Sequence, residues 1–153
     1  MTLSLDPKKA IPHREPFLLV SELIECSNDG LTGTTVYNVP KDLEVFKGHF
    51  PGNPVFPGVM QIEVAAQACL WVFMYPSKPG RPDAEVLFRG IDSFKFKNII
   101  RPGDQIVSKV ANKQIRKTFH IWEVVNSVND KVVGQGSYTM MMANTQEVLK
   151  YRV

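Results

Sequence analysis

The chain has 153 residues, 44% of them hydrophobic, which fits one compact domain with a packed core. Its net charge of +3, from 18 basic and 15 acidic residues without a long basic block, gives no support for a nucleic-acid partner. Two cysteines are too few for a disulfide framework, and neither a membrane-spanning apolar run nor a secretory leader is visible. We therefore expect a single cytoplasmic domain over residues 1–153, with no membrane segment.

The first third of the chain predicts a short helix, two strands and a long loop. Asp6 before Pro7 is the pattern of a helix N-cap and first turn, and Pro12 ends this helix. The β-branched segments FLLVSELIEC and LTGTTVYNV flank the turn residues 28–30 and predict two strands. Four prolines and two glycines make residues 40–57 irregular, and loops of this length commonly carry function.

A long apolar helix is predicted after the loop. Pro57 suits a first helical turn, and the segment VMQIEVAAQACLWVFM continues the helix until Pro76. Apart from Gln61, Glu63 and Gln67 this segment is apolar on every side, so it has no face for solvent. Other structure must surround it, which makes it the central helix of the core.

The remainder of the chain reads as strands. The predicted strands are AEVLFRGI, SFKFKNI, QIVSKVANKQI, KTFHIWEVVNSV and KVVGQGSYTMMMA, with turns at residues 101–104 and 128–130. Several strands with one buried helix define an α+β domain. An antiparallel sheet curled around the helix is the most economical way to bury it.

Glu63 is the most informative polar residue, because a carboxylate inside an apolar helix is costly unless it is paired or protonated. It could be structural, bonding backbone groups or Gln67 one turn later. Burial also raises a carboxyl pKa, however, so the same environment would let Glu63 donate a proton near neutral pH. Both interpretations stand on the residue alone.

His49 lies in the proline-rich loop, and imidazole is the side chain best suited to accept a proton at neutral pH. Its alternative is a hydrogen-bonded structural histidine, and we interpret His13 and His120 in that structural way. The helix start at Gly58 and Val59 offers unpaired backbone amides that can stabilise charge on a carbonyl oxygen, although a simple loop-to-helix turn would look the same.

A base, a buried acid and an oxyanion site are together what elimination of water from a β-hydroxy carbonyl compound requires. The sequence contains no CxxC or HExxH metal motif and no GxSxG, Walker or GxGxxG motif. We therefore expect that the reaction needs no metal.

Three segments resemble the successive motifs of the FabZ-type 3-hydroxyacyl-[acyl-carrier-protein] dehydratases: IPHREPFLLV, GHFPGNPVFPGVMQIEVAAQA and GIDSFKFKNIIRPGDQI. The resemblance runs from about residue 11 to about residue 142. It implies the hot-dog fold, an antiparallel sheet wrapped around a long central helix. It also implies a hydro-lyase that converts a (3R)-3-hydroxyacyl thioester to the trans-2-enoyl thioester in fatty acid, or related lipid or polyene, biosynthesis.

The resemblance assigns roles to residues. It makes His49 the catalytic histidine, Glu63 the catalytic acid and Gly58 the backbone donor to the thioester carbonyl, with Val59 assisting. Gln67 matches the helix motif, and we interpret it as the residue that orients Glu63. A glutamate as the acid argues for the branch that dehydrates without isomerising the double bond.

The same resemblance implies partners. The substrate is carried on the phosphopantetheine arm of acyl carrier protein, and the enzyme itself binds no cofactor. The family is built on homodimers, often assembled into a hexamer as a trimer of dimers, in which His49 of one subunit faces Glu63 of the other. The basic cluster of Arg89, Lys95, Lys97 and Arg101 is either a solvated sheet edge or, since carrier protein is acidic, a docking surface.

Two departures and two rival functions accompany this assignment. Ser21 and Glu22 stand where the family usually has aspartate and arginine, and Trp71 with its aromatic neighbours could narrow the acyl tunnel or simply belong to the core. A hot-dog thioesterase is the rival enzyme, because one fold hosts both chemistries. A non-catalytic subunit that binds carrier protein is the rival of another class, and it would be expected to have lost His49 or Glu63.

Overall fold

The computed structural model describes residue 3, residues 6–75, residues 84–144 and the single residues 146 and 150. The elements are α1 (Pro7–Ala10), β1 (Glu22–Cys26), β2 (Thr32–Asn38), a 3₁₀ turn (Glu44–Lys47), α2 (Gly58–Phe73), β3 (Ala84–Phe96), β4 (Gln105–Arg116), β5 (Phe119–Val128) and β6 (Lys131–Asn144). None of the helices in these ranges has the length and apolar character needed to cross a bilayer.

The strands form one antiparallel sheet in the order β1-β2-β4-β5-β6-β3, with α2 packed on one face. Every residue of α2 from Val64 to Phe73 is buried. The predicted α+β class and the central apolar helix are therefore confirmed. Trp71 has no exposed surface and belongs to the core, as expected by default. The helix begins at Gly58 with Pro57 as its N-cap, one residue later than predicted.

The short N-terminal helix is confirmed. Asp6 caps α1 by accepting a hydrogen bond from the Lys8 amide at 3.0 Å. The first predicted strand is wrong over its first half, because β1 begins only at Glu22. Ahead of it, the Leu19 amide and the Phe17 carbonyl bond to a side chain of α2 rather than to a neighbouring strand. Sequence propensity could not show this long-range competitor for backbone hydrogen bonds.

Two predicted strands merge into β3. The break expected near Asp92 is a pair of register shifts, between Phe88 and Gly90 and between Ile91 and Ser93, and the strand continues through both. The turns at residues 101–104 and 128–130 are confirmed. Gly103 has a φ of +87°, and Asn129 and Asp130 have φ of 48° and 62°, as tight turns require.

The edge strand β3 exposes an apolar face. Phe88, Ile91 and Phe96 pair in register with residues of β6, and the partners of the first two are the buried residues Met140 and Tyr138. Directly paired residues in antiparallel strands share a face. The three side chains therefore lie on the α2 side of the sheet, yet they are 42%, 50% and 53% exposed. We call these three residues the β3 apolar strip.

Candidate active site

Glu63 lies in the first half of α2, with its side chain only 20% exposed. Burial raises the pKa of its carboxyl above the ordinary value, and a hydrogen bond from Gln67 opposes part of that rise. A carboxyl in this environment holds its proton to a higher pH than a solvated one does. This is the electrostatic condition for a general acid.

The orientation of the Gln67 side chain is fixed by its three bonds. Its Oε1 accepts from the Leu19 amide at 2.8 Å, so its Nε2 must face the other way, where it donates to the Phe17 carbonyl at 2.8 Å and to Glu63 Oε1 at 2.9 Å. Glu63 Oε1 is thus an acceptor. The carbonyl oxygen of a neutral carboxyl is the better acceptor, so the acid proton belongs on Oε2.

His13 is a site residue that the sequence analysis interpreted as structural. Its Nε2 lies 3.6 Å from Glu63 Oε1, and its side chain is 26% exposed. Burial lowers the pKa of the imidazole and the neighbouring Arg14 guanidinium lowers it further, and both effects favour the neutral ring over an ion pair with Glu63. Fifty positions separate the two residues, and no local pattern in the sequence signals their contact.

A cavity of about 50 Å³ adjoins these side chains. Its polar wall is formed by Glu63, Gln67 and His13, and its apolar wall includes Leu70, Val86 and Phe88. The cavity joins a polar end that holds a carboxyl to an apolar recess, as an acyl thioester would require, but its volume has room for only a few atoms of such a substrate.

His49 follows the 3₁₀ turn, and its ring orientation is set by its own loop. Its Nδ1 lies 2.7 Å from the Val55 carbonyl oxygen, and the Val55 amide donates back to the His49 carbonyl at 2.9 Å. A carbonyl can only accept, so Nδ1 carries the hydrogen and the neutral ring keeps its lone pair on Nε2. The ring stacks on Phe50, with centroids 4.1 Å apart. The structure thus presents Nε2 as the basic atom.

Arg101 braces this loop. Its Nη1 donates to Asn53 Oδ1 at 2.6 Å and to the Pro54 carbonyl at 2.9 Å, and the neighbouring Ile100 carbonyl accepts from the Phe56 amide at 2.9 Å. Of the four predicted docking residues, Arg101 is therefore already engaged within the chain. Arg89 lies 5.9 Å from the centre of the Phe119 ring, and Lys95 and Lys97 are exposed. The docking role stays a prediction.

The helix start places two backbone amides ahead of its first hydrogen-bonded turn. Met60 and Gln61 are the amides of α2 that bond back to the Pro57 carbonyl, at 3.0 and 3.3 Å, so the Gly58 and Val59 amides lie ahead of this turn, at the positive end of the helix dipole. A Cβ on Gly58 would lie 2.9 Å from the Phe96 ring. A side chain at this position would therefore require the half-exposed Phe96 ring to move aside.

The structure brings Glu63, Gln67 and His13 together but leaves His49 elsewhere. Across the described ranges, no contact joins His49 to Glu63, and each has the separate partners given above. The same ranges contain no group of three or more His, Cys, Asp or Glu side chains arranged to hold a metal ion. One chain therefore contains a complete environment for the acid and a separate one for the base.

Comparison with known proteins places these features in a family. Residues 25–137 match the family model described as ApeI-like, ApeI dehydratase. The 3-hydroxyacyl-[acyl-carrier-protein] dehydratase FabZ of Fusobacterium nucleatum subsp. nucleatum is 37% identical over 140 residues, which cover 92% of this chain and 96% of that protein.

Solved structures share the fold at lower identity. The dehydratase heterocomplex ApeI:P from Xenorhabdus doucetiae has a TM-score of 0.79 at 18% identity and covers 96% of this chain and 97% of its own. The fluoroacetyl-CoA thioesterase FlK has a TM-score of 0.64 at 15% identity, covering 84% of this chain and all of its own. The predicted hot-dog architecture is confirmed. The thioesterase likeness shows the fold alone.

Proposed function

The chain belongs to the ApeI-like dehydratase family, and on that premise we propose that it dehydrates 3-hydroxyacyl-[acyl-carrier-protein] with His49 as the base and Glu63 as the acid. It is a hydro-lyase of fatty acid biosynthesis. We assign these roles because the environment of His49 suits a proton acceptor and that of Glu63 suits a proton donor. His49 leaves Nε2 free while Nδ1 bonds the Val55 carbonyl, and burial raises the pKa of Glu63, whose Oε2 is left for a proton because Oε1 accepts from Gln67.

The elimination balances without a redox step, so the proposed chemistry calls for no cofactor. His49 Nε2 takes a proton from the carbon next to the thioester carbonyl, and the freed electron pair forms the double bond to C3. The C3–O bond breaks as Glu63 Oε2 delivers its proton, and the hydroxyl leaves as water. The amides of Gly58 and Val59 stabilise the charge on the carbonyl oxygen during the transfer.

A second copy of the chain is the proposed source of the opposite half of each site. The β3 apolar strip gives each chain an exposed surface on the α2 side, and Phe96 of the strip touches Gly58 at the helix start. Exposed apolar surface of this kind marks an interaction site. In a symmetric pair formed through this strip, we propose that His49 of one subunit faces Glu63 of the other.

The first test measures the reaction itself. Purified protein is incubated with 3-hydroxyacyl carrier proteins of several chain lengths, and enoyl product and free thiol are followed separately by mass. We expect enoyl thioester from wild type and a loss of about 1,000-fold or more in His49→Ala and Glu63→Gln. Free thiol without enoyl product would favour the thioesterase. A wild type as slow as His49→Ala at every chain length would contradict the dehydratase.

The second test asks whether the two halves come from different chains. The two inactive variants are co-expressed with different affinity tags. Random pairing makes half of the dimers mixed, and one of the two sites in each mixed dimer has both groups, so about a quarter of wild-type activity should return. If both groups acted within one chain, no activity would return.

A homodimer is proposed over a heterocomplex because this chain supplies both groups. The ApeI:P relative is, by its description, a heterocomplex. A wild type that is inactive alone, stays monomeric and gains activity only with a second, different hot-dog subunit would replace the homodimer proposal. Carrier-protein docking on the basic cluster of Arg89, Lys95, Lys97 and Arg101, assembly into hexamers and the cytoplasmic location stay predictions.

A further inference from the structure

His13 lies beside the proposed acid, but the proposed mechanism gives it no role. It precedes β1 by nine positions, but its imidazole packs against Glu63 of α2, with Nε2 3.6 Å from Oε1. Its Nδ1 is buried and, among the described residues, has no hydrogen-bond partner. Such an atom needs an explanation, because a buried polar group without a partner costs stability.

The two neutral tautomers of His13 are not equivalent in this position. A hydrogen on Nδ1 would bury an unsatisfied donor and would turn the Nε2 lone pair towards Glu63 Oε1, which already accepts from Gln67. A hydrogen on Nε2 instead directs a donor at that oxygen and leaves only an acceptor unsatisfied. Unsatisfied acceptors are better tolerated than unsatisfied amide-type donors. The Nε2–H form is favoured on both counts.

We propose that His13 is a positioning residue for the acid: as the neutral Nε2–H tautomer it stands beside Glu63 Oε1, keeps the acid proton on Oε2, and stabilises the carboxylate that remains after proton transfer. This inference rests on the proposed function. The resting distance of 3.6 Å exceeds that of a hydrogen bond, so the N–H can close on Oε1 as negative charge develops there. Gln67 and His13 then act as paired donors to one oxygen.

The kinetic test uses two substitutions of the same residue. His13→Ala removes the donor and should lower kcat about tenfold with little change in KM, because the lost contact strengthens only as Glu63 ionises. His13→Gln keeps a neutral N–H donor where Nε2 lies, and it should recover most of the rate. Equal kcat in wild type and His13→Ala, or equal damage in both variants, would overturn the proposal.

A matched control separates the contact with Glu63 from disturbance of the segment. Glu15 is two residues away, 65% exposed in its side chain, and pairs with Lys8 at 2.9 Å. Glu15→Gln alters the same segment without approaching the acid, and its kcat should equal that of wild type. A loss in Glu15→Gln as large as in His13→Ala would mean that segment placement, rather than the donor, sets the rate.

A direct readout does not depend on turnover or on a variant that folds. The protein contains three histidines, and ¹⁵N-histidine labelling assigns His13 by the signal that disappears in His13→Gln or, if that variant does not fold, by backbone assignment. The wild-type ring should be neutral with its proton on Nε2 at pH 7. A proton on Nδ1, or an imidazolium, would contradict the inference. An inactive wild type with the Nε2–H tautomer would instead defeat only the proposed function.

Discussion

A single chain encloses most of the Glu63 side chain, whereas it leaves His49 in a loop at its surface. Glu63 is 20% exposed, and its oxygen Oε1 is held by Gln67, with His13 beside it. His49 lies in a surface loop next to Phe50, which is 51% exposed, and Val59 at the helix start is 73% exposed. The acid is prepared inside the subunit, whereas the base is presented at its surface.

This difference indicates which half depends on assembly. The acid owes its raised pKa to burial within its own chain. The base instead lies beside Phe50, which is 51% exposed among the described residues and which the proposed dimer would cover. Breaking the proposed interface should therefore remove catalysis while leaving the environment of Glu63 largely in place.

Ile91→Arg should give the largest effect. The residue is 50% exposed in the β3 apolar strip, and symmetry would place two uncompensated charges in the interface. We expect the dissociation constant to rise about 100-fold or more and the activity to be lost as dimers dissociate. Sedimentation velocity and turnover measured over a range of protein concentrations check this outcome.

Ile115→Arg is the matched control for this change. Ile115 is 49% exposed on β4, an interior strand of the sheet, so it carries the same substitution at the same exposure away from the strip. It should associate and turn over like wild type. An Ile91→Arg protein that is fully active as a monomer would show that His49 and Glu63 do not need two chains.

The sequence predicted the burial of Glu63 better than it predicted which residues contact its carboxyl group. An apolar helix with three polar members was enough to predict that Glu63 is largely buried, and burial explains its role as a candidate acid. The i to i+4 spacing also predicted the contact with Gln67. The contact with His13 could not be found this way, because it depends on where the segment before β1 crosses the helix.

For His49, the sequence predicted the residue and its loop but not the orientation or tautomer of its ring. Proline and glycine content identified the loop, but the tautomer of His49 follows only from its distance to the Val55 carbonyl. The bracing role of Arg101 likewise depends on the chain passing close to residues 53–54, about fifty positions earlier. Long-range hydrogen bonds of this kind leave no periodic signal in a single sequence.

Arg101→Gln should have an intermediate effect on activity, and this effect should arise from the loop that carries His49. Loss of the bonds to Asn53 and Pro54 frees the loop that orients His49, and we expect kcat to fall about tenfold. A small thioester substrate without carrier protein separates bracing from docking. Bracing predicts the same loss with both substrates, whereas docking predicts a higher KM with the carrier-borne substrate alone.

Lys131→Gln provides the charge control for Arg101. Lys131 is exposed at the start of β6, outside the His49 loop and the basic cluster, and its neutralisation changes the net charge equally. Its rates with both substrates should match those of wild type. If Lys131→Gln lost as much activity as Arg101→Gln, general electrostatic attraction of the carrier would account for the effect.

The smallest expected effect is a pH-dependent change in stability from Glu63→Gln. Because burial raises the folded-state pKa of Glu63, the folded protein binds more protons than the unfolded chain between the ordinary carboxyl pKa and the raised one. In that window the free energy of unfolding of wild type falls as pH rises, since ionisation is disfavoured only in the folded state.

Glutamine keeps the acceptor for Gln67 and cannot ionise, so the variant should gain stability relative to wild type as pH rises through the window. Denaturant unfolding of both proteins at a series of pH values measures this difference. A difference that stays flat, or that shrinks with pH, would mean that Gln67 and His13 offset the burial completely, and Glu63 would then be an ordinary carboxylate at neutral pH and unsuited to donate the proton.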